Sequence, residues 1–197
     1  MQIIVYTGGH VFTNGYVIHD EKHCIVVDAP AGIAEMMEKE GLKPTHLLLT
    51  HQHFDHTEDV ENLQKLGAQV VAHSPYSETL IRQKEARENW GLPVQIAPFT
   101  PDLLLKDEKT LEIGDLTFTV SHVPGHSPDS ITFYCEALGE QGIVFVGDTL
   151  MAGGMGRTDL PGGSFSQLVS GIKEHLYTLP DQTLVLSGHG PETTIGS

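Results

Sequence analysis

Short apolar runs of strand length alternate with amphipathic helical segments in both halves of this chain, and few folds accommodate that alternation. In the first half, strands are predicted over residues 2–7, 16–20, 24–30, 45–50 and 69–73, and helices over 31–41, 57–67 and 75–90. In the second half, strands are predicted over residues 103–107, 110–113, 116–123, 130–135, 142–148 and 183–187, and a single helix over 164–179. Sheets forming a core, with helices packed outside them, satisfy this pattern best, so the predicted fold class is α/β.

The helix over 164–179 has the clearest local signals. Ser164 and Gln167 form a capping box at its start, in which the serine side chain satisfies an amide that the helix leaves open. Its apolar residues recur at helical spacing, which predicts a stripe that contacts the core; they are Phe165, Leu168, Val169, Ile172 and Leu176.

Composition restricts the partners that the chain can have. Its 11 basic and 26 acidic residues give a net charge of −15, so neither nucleic acid nor a membrane surface is an expected partner. No apolar run approaches the ~20 residues of a transmembrane helix, and the amino terminus lacks a secretory signal pattern. Two cysteines, Cys24 and Cys135, are too few for a disulfide framework, so we expect inert core thiols in a cytoplasmic protein. The expected partner is a small-molecule substrate.

The segment His51-Gln-His53-Phe-Asp55-His56 carries four metal-ligand residue types in six positions, directly after the apolar run 45–50. A loop that leaves a buried strand is a common place for functional residues, because the strand beneath it is rigid. On an extended backbone His51 and His53 point the same way, so both can reach one metal ion. Asp55 and His56, where the chain turns toward the next helix, can face a second ion.

Three later segments repeat the arrangement of a strand followed by glycine and then a ligand-type residue. They place His126 in a glycine-proline turn, Asp148 after Gly147, and His189 after Gly188. Aspartate at one strand end is unremarkable, since it is common in turns. The repetition indicates that several strands deliver ligands to one edge of the fold.

Taken in order, these residues resemble the metallo-β-lactamase superfamily, and within it the small hydrolases that are similar to glyoxalase II. The resemblance extends from the strand ending at Asp28 to His189, and it implies a four-layer αββα sandwich that forms a single domain over residues 1–197, with a binuclear metal site. It assigns His51, His53 and His126 to the first ion and Asp55, His56 and His189 to the second. It also implies that Asp148 bridges both ions and that Asp55 and Asp148 are the catalytic carboxylates. Asp28 either orients ligands or forms the turn before Ala29-Pro30.

One feature separates the chain from the longer glyoxalase II enzymes. Those enzymes continue into a carboxyl-terminal helical domain that supplies much of the glutathione site, whereas this chain stops at Ser197, eight residues after His189. Substrate contacts are therefore expected from loops, with only a weak preference for glutathione. Arg157 can bind a substrate carboxylate, although pairing with Asp159 or a role in a turn explains it equally well.

The resulting hypothesis is a metal-dependent hydrolase that uses a metal-bridging hydroxide to cleave a thioester, similar to a hydroxyacylglutathione, or a related ester or lactone. A thioester suits such a site because its thiolate, with a conjugate-acid pKa near ~8.5, leaves without a strong general acid. Two divalent metal ions are expected, with zinc favoured and iron or manganese as alternatives.

Two other functions stay open. One is a mononuclear iron dioxygenase that acts on glutathione persulfide, in which His126, Asp148 and either His51 or His53 form a facial triad. The other is a non-catalytic metal-binding protein, which the seven-residue ligand set disfavours. A true β-lactamase is disfavoured by the missing export signal. The sequence predicts neither the acyl group nor the oligomeric state.

Overall fold

A computed structural model describes all 197 residues. The residues form two compact units, Met1–Leu104 and Leu105–Ser197. Each unit contains one six-stranded sheet together with its own helices, as the alternation of apolar runs predicts. None of the helices has the length and apolar composition that a membrane span requires.

The sheet of the first unit runs in the order β1-β2-β3-β4-β5-β6. Its strands are β1 (Gln2–Gly8), β2 (Thr13–His19), β3 (Cys24–Val27), β4 (His46–Leu48), β5 (Gln69–Ala72) and β6 (Leu103–Leu104). The first three strands pair antiparallel, and the pairs from β3 to β6 are parallel. Among the parallel strands, β3, β4 and β5 are mostly apolar and buried, as in Val26, Leu47 and Val70, each with no exposed surface, which is why their sequences are apolar runs.

The helices of the first unit are α1 (Ile33–Lys39), α2 (Val60–Lys65), α3 (Glu78–Ile81) and α4 (Gln83–Trp90). The predicted single helix over 75–90 is wrong, because Arg82 takes a left-handed conformation with φ 61° and divides it. The side chain of Gln83 then turns inward, where it accepts from the Ile96 amide at 2.7 Å and donates to the Ile96 carbonyl at 3.2 Å. A contact with a distant part of the chain therefore overrides the local helical preference.

The second unit has the strand order β14-β13-β10-β9-β8-β7. These strands are β7 (Thr110–Ile113), β8 (Leu116–His122), β9 (Ile131–Cys135), β10 (Ile143–Gly147), β13 (Leu184–Ser187) and β14 (Thr193–Thr194). Only β10 and β13 pair in parallel. A small hairpin of β11 (Leu150–Met151) and β12 (Gly154–Met155) and the short β14 were not predicted.

Helix α5 (Phe165–Gly171) begins as predicted, since the Ser164 hydroxyl accepts from the Gln167 amide at 3.3 Å. From Ile172 to Leu176 the helix continues as a π turn, so the predicted α-helix to 179 is wrong over that part. Leu168, Ile172 and Leu176 are nevertheless buried and pack with valines of β10 and β13, which confirms the core role of the stripe. Phe165 is the exception, because 62% of its surface is exposed.

The predicted ligand residues follow the carboxyl ends of strands or lie in the turn between two of them. In the first unit, Asp28 follows β3, and the segment from His51 to His56 leaves the end of β4. In the second unit, Asp148 follows β10 and His189 follows β13, whereas His126 lies between β8 and β9. Both sheets therefore present ligand-type side chains from rigid strand ends.

Candidate metal centre

The first unit brings four predicted ligand residues together in the loop after β4. His51, His53, Asp55 and His56 are all buried, and residues 54–56 form a 3-10 turn that the His56 amide closes on the His53 carbonyl at 2.9 Å. The ring of His51 lies 4.7 Å from that of His53 and 4.1 Å from that of His56, measured between centroids. This tight turn replaces the start of the predicted helix, which is why α2 begins at Val60 and not near Thr57.

Asp28 fixes the orientation of His56. It is 2% exposed and has a left-handed backbone with φ 60°. One carboxylate oxygen accepts from the amide of Thr50 at 2.8 Å, and the other accepts from the Thr50 hydroxyl at 2.7 Å and from Nδ1 of His56 at 2.8 Å. A carboxylate only accepts hydrogen bonds, so Nδ1 of His56 carries a proton, and in the neutral ring Nε2 presents a lone pair.

The same chain of hydrogen bonds reaches His51. Its Nδ1 lies 3.1 Å from the Thr50 hydroxyl, whose proton is already donated to Asp28. The hydroxyl therefore accepts from His51, and the proton of that ring also lies on Nδ1. Asp28 thus determines the tautomers of two histidines at once, which is the arrangement that metal-binding histidines usually have.

Asp55 faces His56 from the other side. Its Oδ2 accepts from the Thr13 hydroxyl at 2.7 Å and lies 3.3 Å from Nε2 of His56. Because that nitrogen presents a lone pair, two electron-rich atoms face each other at this distance. They repel unless a cation or a proton lies between them.

Glu58 follows this segment and has a perturbed pKa. Burial first, and then the neighbouring carboxylates of Asp55 and Asp59, raise the pKa of Glu58 to about 7. Glu58 therefore ionises less readily than an exposed glutamate. The sequence interpretation missed Glu58, Thr13 and Thr50, and no spacing pattern marks them.

In the second unit, one carboxylate oxygen lies between two imidazoles. Oδ2 of Asp148 is 3.3 Å from Nε2 of His126 and 3.4 Å from Nε2 of His189. Asp148 and His126 are buried, whereas the His189 side chain keeps 28% of its surface exposed. The structure therefore gathers all three ligand residues predicted in this half, with His189 nearest to solvent.

The backbone around Gly156 and Arg157 holds His126. Nδ1 of His126 lies 2.9 Å from the Arg157 carbonyl, which can only accept, so the proton of this ring is again on Nδ1. A Cβ atom at Gly156 would lie 1.8 Å from the Asp148 carbonyl and 2.9 Å from Nδ1 of His126, so only glycine fits. The Arg157 side chain is exposed and forms a bidentate pair with Asp159, both distances being 2.7 Å. Its role toward a substrate stays a prediction.

The donor set suits a divalent metal ion. His51, His56 and His126 each hold a proton on Nδ1 against a fixed acceptor, so Nε2 is the ligand atom in all three. In the first unit, three pairs of side chains have their ligand atoms within 4.8 Å: His51 with His53, His51 with His56, and Asp55 with His56. Nitrogen and carboxylate ligands of this kind bind zinc, iron or manganese.

Comparison with known proteins identifies the family. The family model of the metallo-beta-lactamase superfamily matches residues 8–189, so the chain belongs to that superfamily, whose members bind divalent metal ions and are usually hydrolases. Among its relatives, the probable metallo-hydrolase YqgX of Bacillus subtilis is 34% identical over 95% of this chain and 89% of its own. The hydroxyacylglutathione hydrolase GloC of Haemophilus influenzae is 36% identical over 90% of this chain and 84% of its own.

Solved structures show the same fold. The BLEG-1 B3 metallo-beta-lactamase has a TM-score of 0.87 and 36% identity, covering 99% of this chain and 95% of its own. TTHA1623 in a di-iron-bound form has a TM-score of 0.80 and 32% identity, covering 98% and 95%. ETHE1 from Myxococcus xanthus has a TM-score of 0.78 and 27% identity, covering 100% and 80%. The fold that the sequence resemblance implies is therefore confirmed.

Proposed function

We propose that this protein is a metal-dependent hydrolase that cleaves a thioester, similar to a hydroxyacylglutathione, or a related ester or lactone. The observation that carries the proposal is that Nδ1 of His51, His56 and His126 each faces a hydrogen-bond acceptor, which leaves three Nε2 atoms available to bind a metal ion. The relationship to GloC, named as a hydroxyacylglutathione hydrolase, supports the substrate class.

We propose further that the ligand residues of both units bind one pair of ions. His51, His53 and His126 would bind the first ion, Asp55, His56 and His189 the second, and Asp148 both. The order of these residues resembles that of the metallo-beta-lactamase superfamily, whose family model matches residues 8–189, and this resemblance is the basis of the proposal. The proposed metal is zinc, and the similar di-iron structure of TTHA1623 makes iron the alternative to test. A cytoplasmic location, expected from the cysteine usage, stays part of the proposal.

Two bound cations would lower the pKa of a water toward neutrality and stabilise the negative charge that develops on the substrate carbonyl oxygen. The residues of the chain supply the positioning. Thr13 holds Asp55, and the Arg157 carbonyl holds His126, so neither side chain has to reorganise during the reaction. His189 is the most exposed of the three second-unit ligands, which places it where substrate can arrive. No strong general acid is required, because a thiolate leaves unprotonated.

A mononuclear iron dioxygenase acting on a persulfide is the second candidate. The similarity to ETHE1 supports keeping it, at 27% identity over the whole of this chain. In that case only His126, Asp148 and either His51 or His53 would bind iron. Asp55, His56 and His189 would then affect the centre only through hydrogen bonds.

Metal analysis and turnover of three variants separate these functions. Asp148→Asn should reduce the metal content to one ion or fewer, because a neutral amide bridges two cations poorly. Asp55→Ala and His189→Ala should keep one ion and lower kcat/KM for an acylglutathione by about a hundredfold or more, about 3 kcal/mol. His122→Ala is the matched control, since His122 is exposed and its Nε2 lies 2.8 Å from the Pro128 carbonyl.

The parent protein should consume no oxygen when it is given a persulfide. Full thioester turnover by His189→Ala, or two bound ions with near-normal turnover in Asp148→Asn, would contradict the binuclear hydrolase. One iron per chain together with oxygen consumption would support the dioxygenase. Nitrocefin should be included as a substrate because BLEG-1 is named as a B3 metallo-beta-lactamase; turnover of nitrocefin faster than that of every thioester would replace the proposed substrate class.

A further inference from the structure

The two sheets end in four edge strands, and three of these edges are protected. The edges are β1 and β6 in the first unit and β14 and β7 in the second. β6 and β14 have two residues each, which is too short for a stable pairing with a strand of another chain. β7 has four residues, includes the exposed Glu112 and follows Lys109. Short length and charge are the usual devices that stop sheet edges from pairing.

The fourth edge, β1, has none of these devices. It is seven residues long, with the sequence QIIVYTG, and contains neither a charged residue nor proline. None of its residues is buried, whereas six of the seven residues of its neighbour β2 are buried. Val5 is 54% exposed and the adjoining Met1 is 53% exposed. In a chain with a net charge of −15, β1 is thus an uncharged strand at an open edge, with three adjacent β-branched apolar residues, Ile3, Ile4 and Val5.

The sequence of β1 is complementary to itself in the antiparallel direction. If two copies align with Val5 opposite Val5, then Ile4 lies opposite Tyr6 on one face, and Ile3 lies opposite Thr7 on the other. Pairs of aromatic and β-branched residues stabilise antiparallel strands. Such pairing has two-fold symmetry, the commonest symmetry of protein dimers, and every apolar residue of the edge finds an apolar or hydroxyl-bearing partner.

We infer that β1 is the interface of a dimer, in which the β1 strands of two copies pair antiparallel and join their sheets. The self-complementary pairing of β1 points to a second copy of the chain as the partner. Over the rest of their surfaces two copies repel each other, because each carries 15 excess negative charges, so association is confined to the uncharged strip. Seven residues bury less than a standard interface, so we expect a weak dimer with a dissociation constant of about 10–100 μM.

Sedimentation velocity between about 1 μM and 1 mM protein tests this inference. The protein should pass from monomer to dimer over that range. Raising the salt concentration from about 0.05 M to 0.5 M should tighten the dimer, because salt screens the repulsion between the acidic copies. Val5→Lys should weaken the dimer at least tenfold, since two lysines would then face each other. Phe165→Lys is the matched control, because Phe165 is exposed, belongs to α5 and is not part of β1, and it should leave the dimer unchanged.

Hydrogen exchange on the unaltered protein gives a second readout that does not depend on how a variant folds. The amides of residues 2–8 that point away from β2 should exchange more slowly as protein concentration rises, and no other strand should respond. A monomer at all concentrations, a dimer that Val5→Lys leaves intact, or exchange in β1 that ignores concentration would each overturn the inference. None of these results depends on metal content or turnover, so they leave the proposed hydrolase untouched.

Discussion

Replacing Asp28 by asparagine should weaken metal binding without changing the shape of the site. The substitution keeps the size of the side chain, but an amide has one acceptor oxygen where the carboxylate has two. Asp28 accepts from the Thr50 amide, the Thr50 hydroxyl and Nδ1 of His56 at 2.7–2.8 Å. If the amide group faces His56, two donors oppose each other, and His56 must move its proton to Nε2, its ligand atom. If the amide group faces the Thr50 amide, that buried donor loses its partner.

Either orientation has a measurable cost. An unsatisfied buried donor costs about 1–3 kcal/mol of folding stability, which denaturant unfolding of the metal-free protein should detect. Loss of the group that orients a histidine ligand typically lowers metal affinity about 10–100-fold. Competition with a chromophoric chelator measures that affinity directly.

Asp59→Asn is the matched control for this experiment. Asp59 is also buried, and it accepts from the Ala34 amide and the Asn62 side chain, each at 2.8 Å. It contacts no histidine in these bonds, so Asp59→Asn should reduce stability while metal affinity stays within about threefold of the parent value. If Asp28→Asn lowers stability alone and binds metal as tightly as the parent, the tautomer argument is refuted and Asp28 is only a turn former.

Three further outcomes are expected. Gly156→Ala should greatly reduce metal content, because its Cβ would meet the Asp148 carbonyl at 1.8 Å. Gly154→Ala is the control and should behave as the parent, because no atom lies within 4 Å of the added Cβ. Equal metal content in the two variants would contradict the close contact at Gly156. The amide of Lys22, and then the ring and amide of His23, lower the pKa of Asp20 from 3.8 to about 2. The stability that Asp20 adds is thus complete above its unfolded pKa and is lost as pH falls toward 2, so unfolding curves of Asp20→Asn and the parent should converge there. Removal of metal by a chelator should lower the melting temperature, since metal at a hundredfold excess over its dissociation constant adds about 2.7 kcal/mol; an unchanged melting temperature would exclude a tightly bound ion.

Local sequence patterns predicted the elements whose causes are local. The apolar runs of β3, β4, β5 and β10 became buried strands, and the capping box at Ser164 starts α5 as expected. The resemblance to the metallo-β-lactamase superfamily rested on the spacing of histidine and aspartate residues, and the family model confirms it. Such signals can be read from the sequence because strand alternation, helix caps and ligand spacing involve residues that are neighbours in the chain.

Contacts between residues far apart in the chain decided the rest. The choice between a ligand-orienting role and a simple turn for Asp28 was open in the sequence, and 28 residues separate it from the His56 ring that it contacts. Thr13 supports Asp55 across 42 residues, and Gln83 anchors to Ile96 where one continuous helix was expected. No periodicity records such pairs, because the free energy of a buried hydrogen bond depends on which atoms the tertiary structure brings within about 3 Å. The sequence determined which side chains can bind a metal, and the tertiary structure determined that Nδ1 carries the proton in His51, His56 and His126.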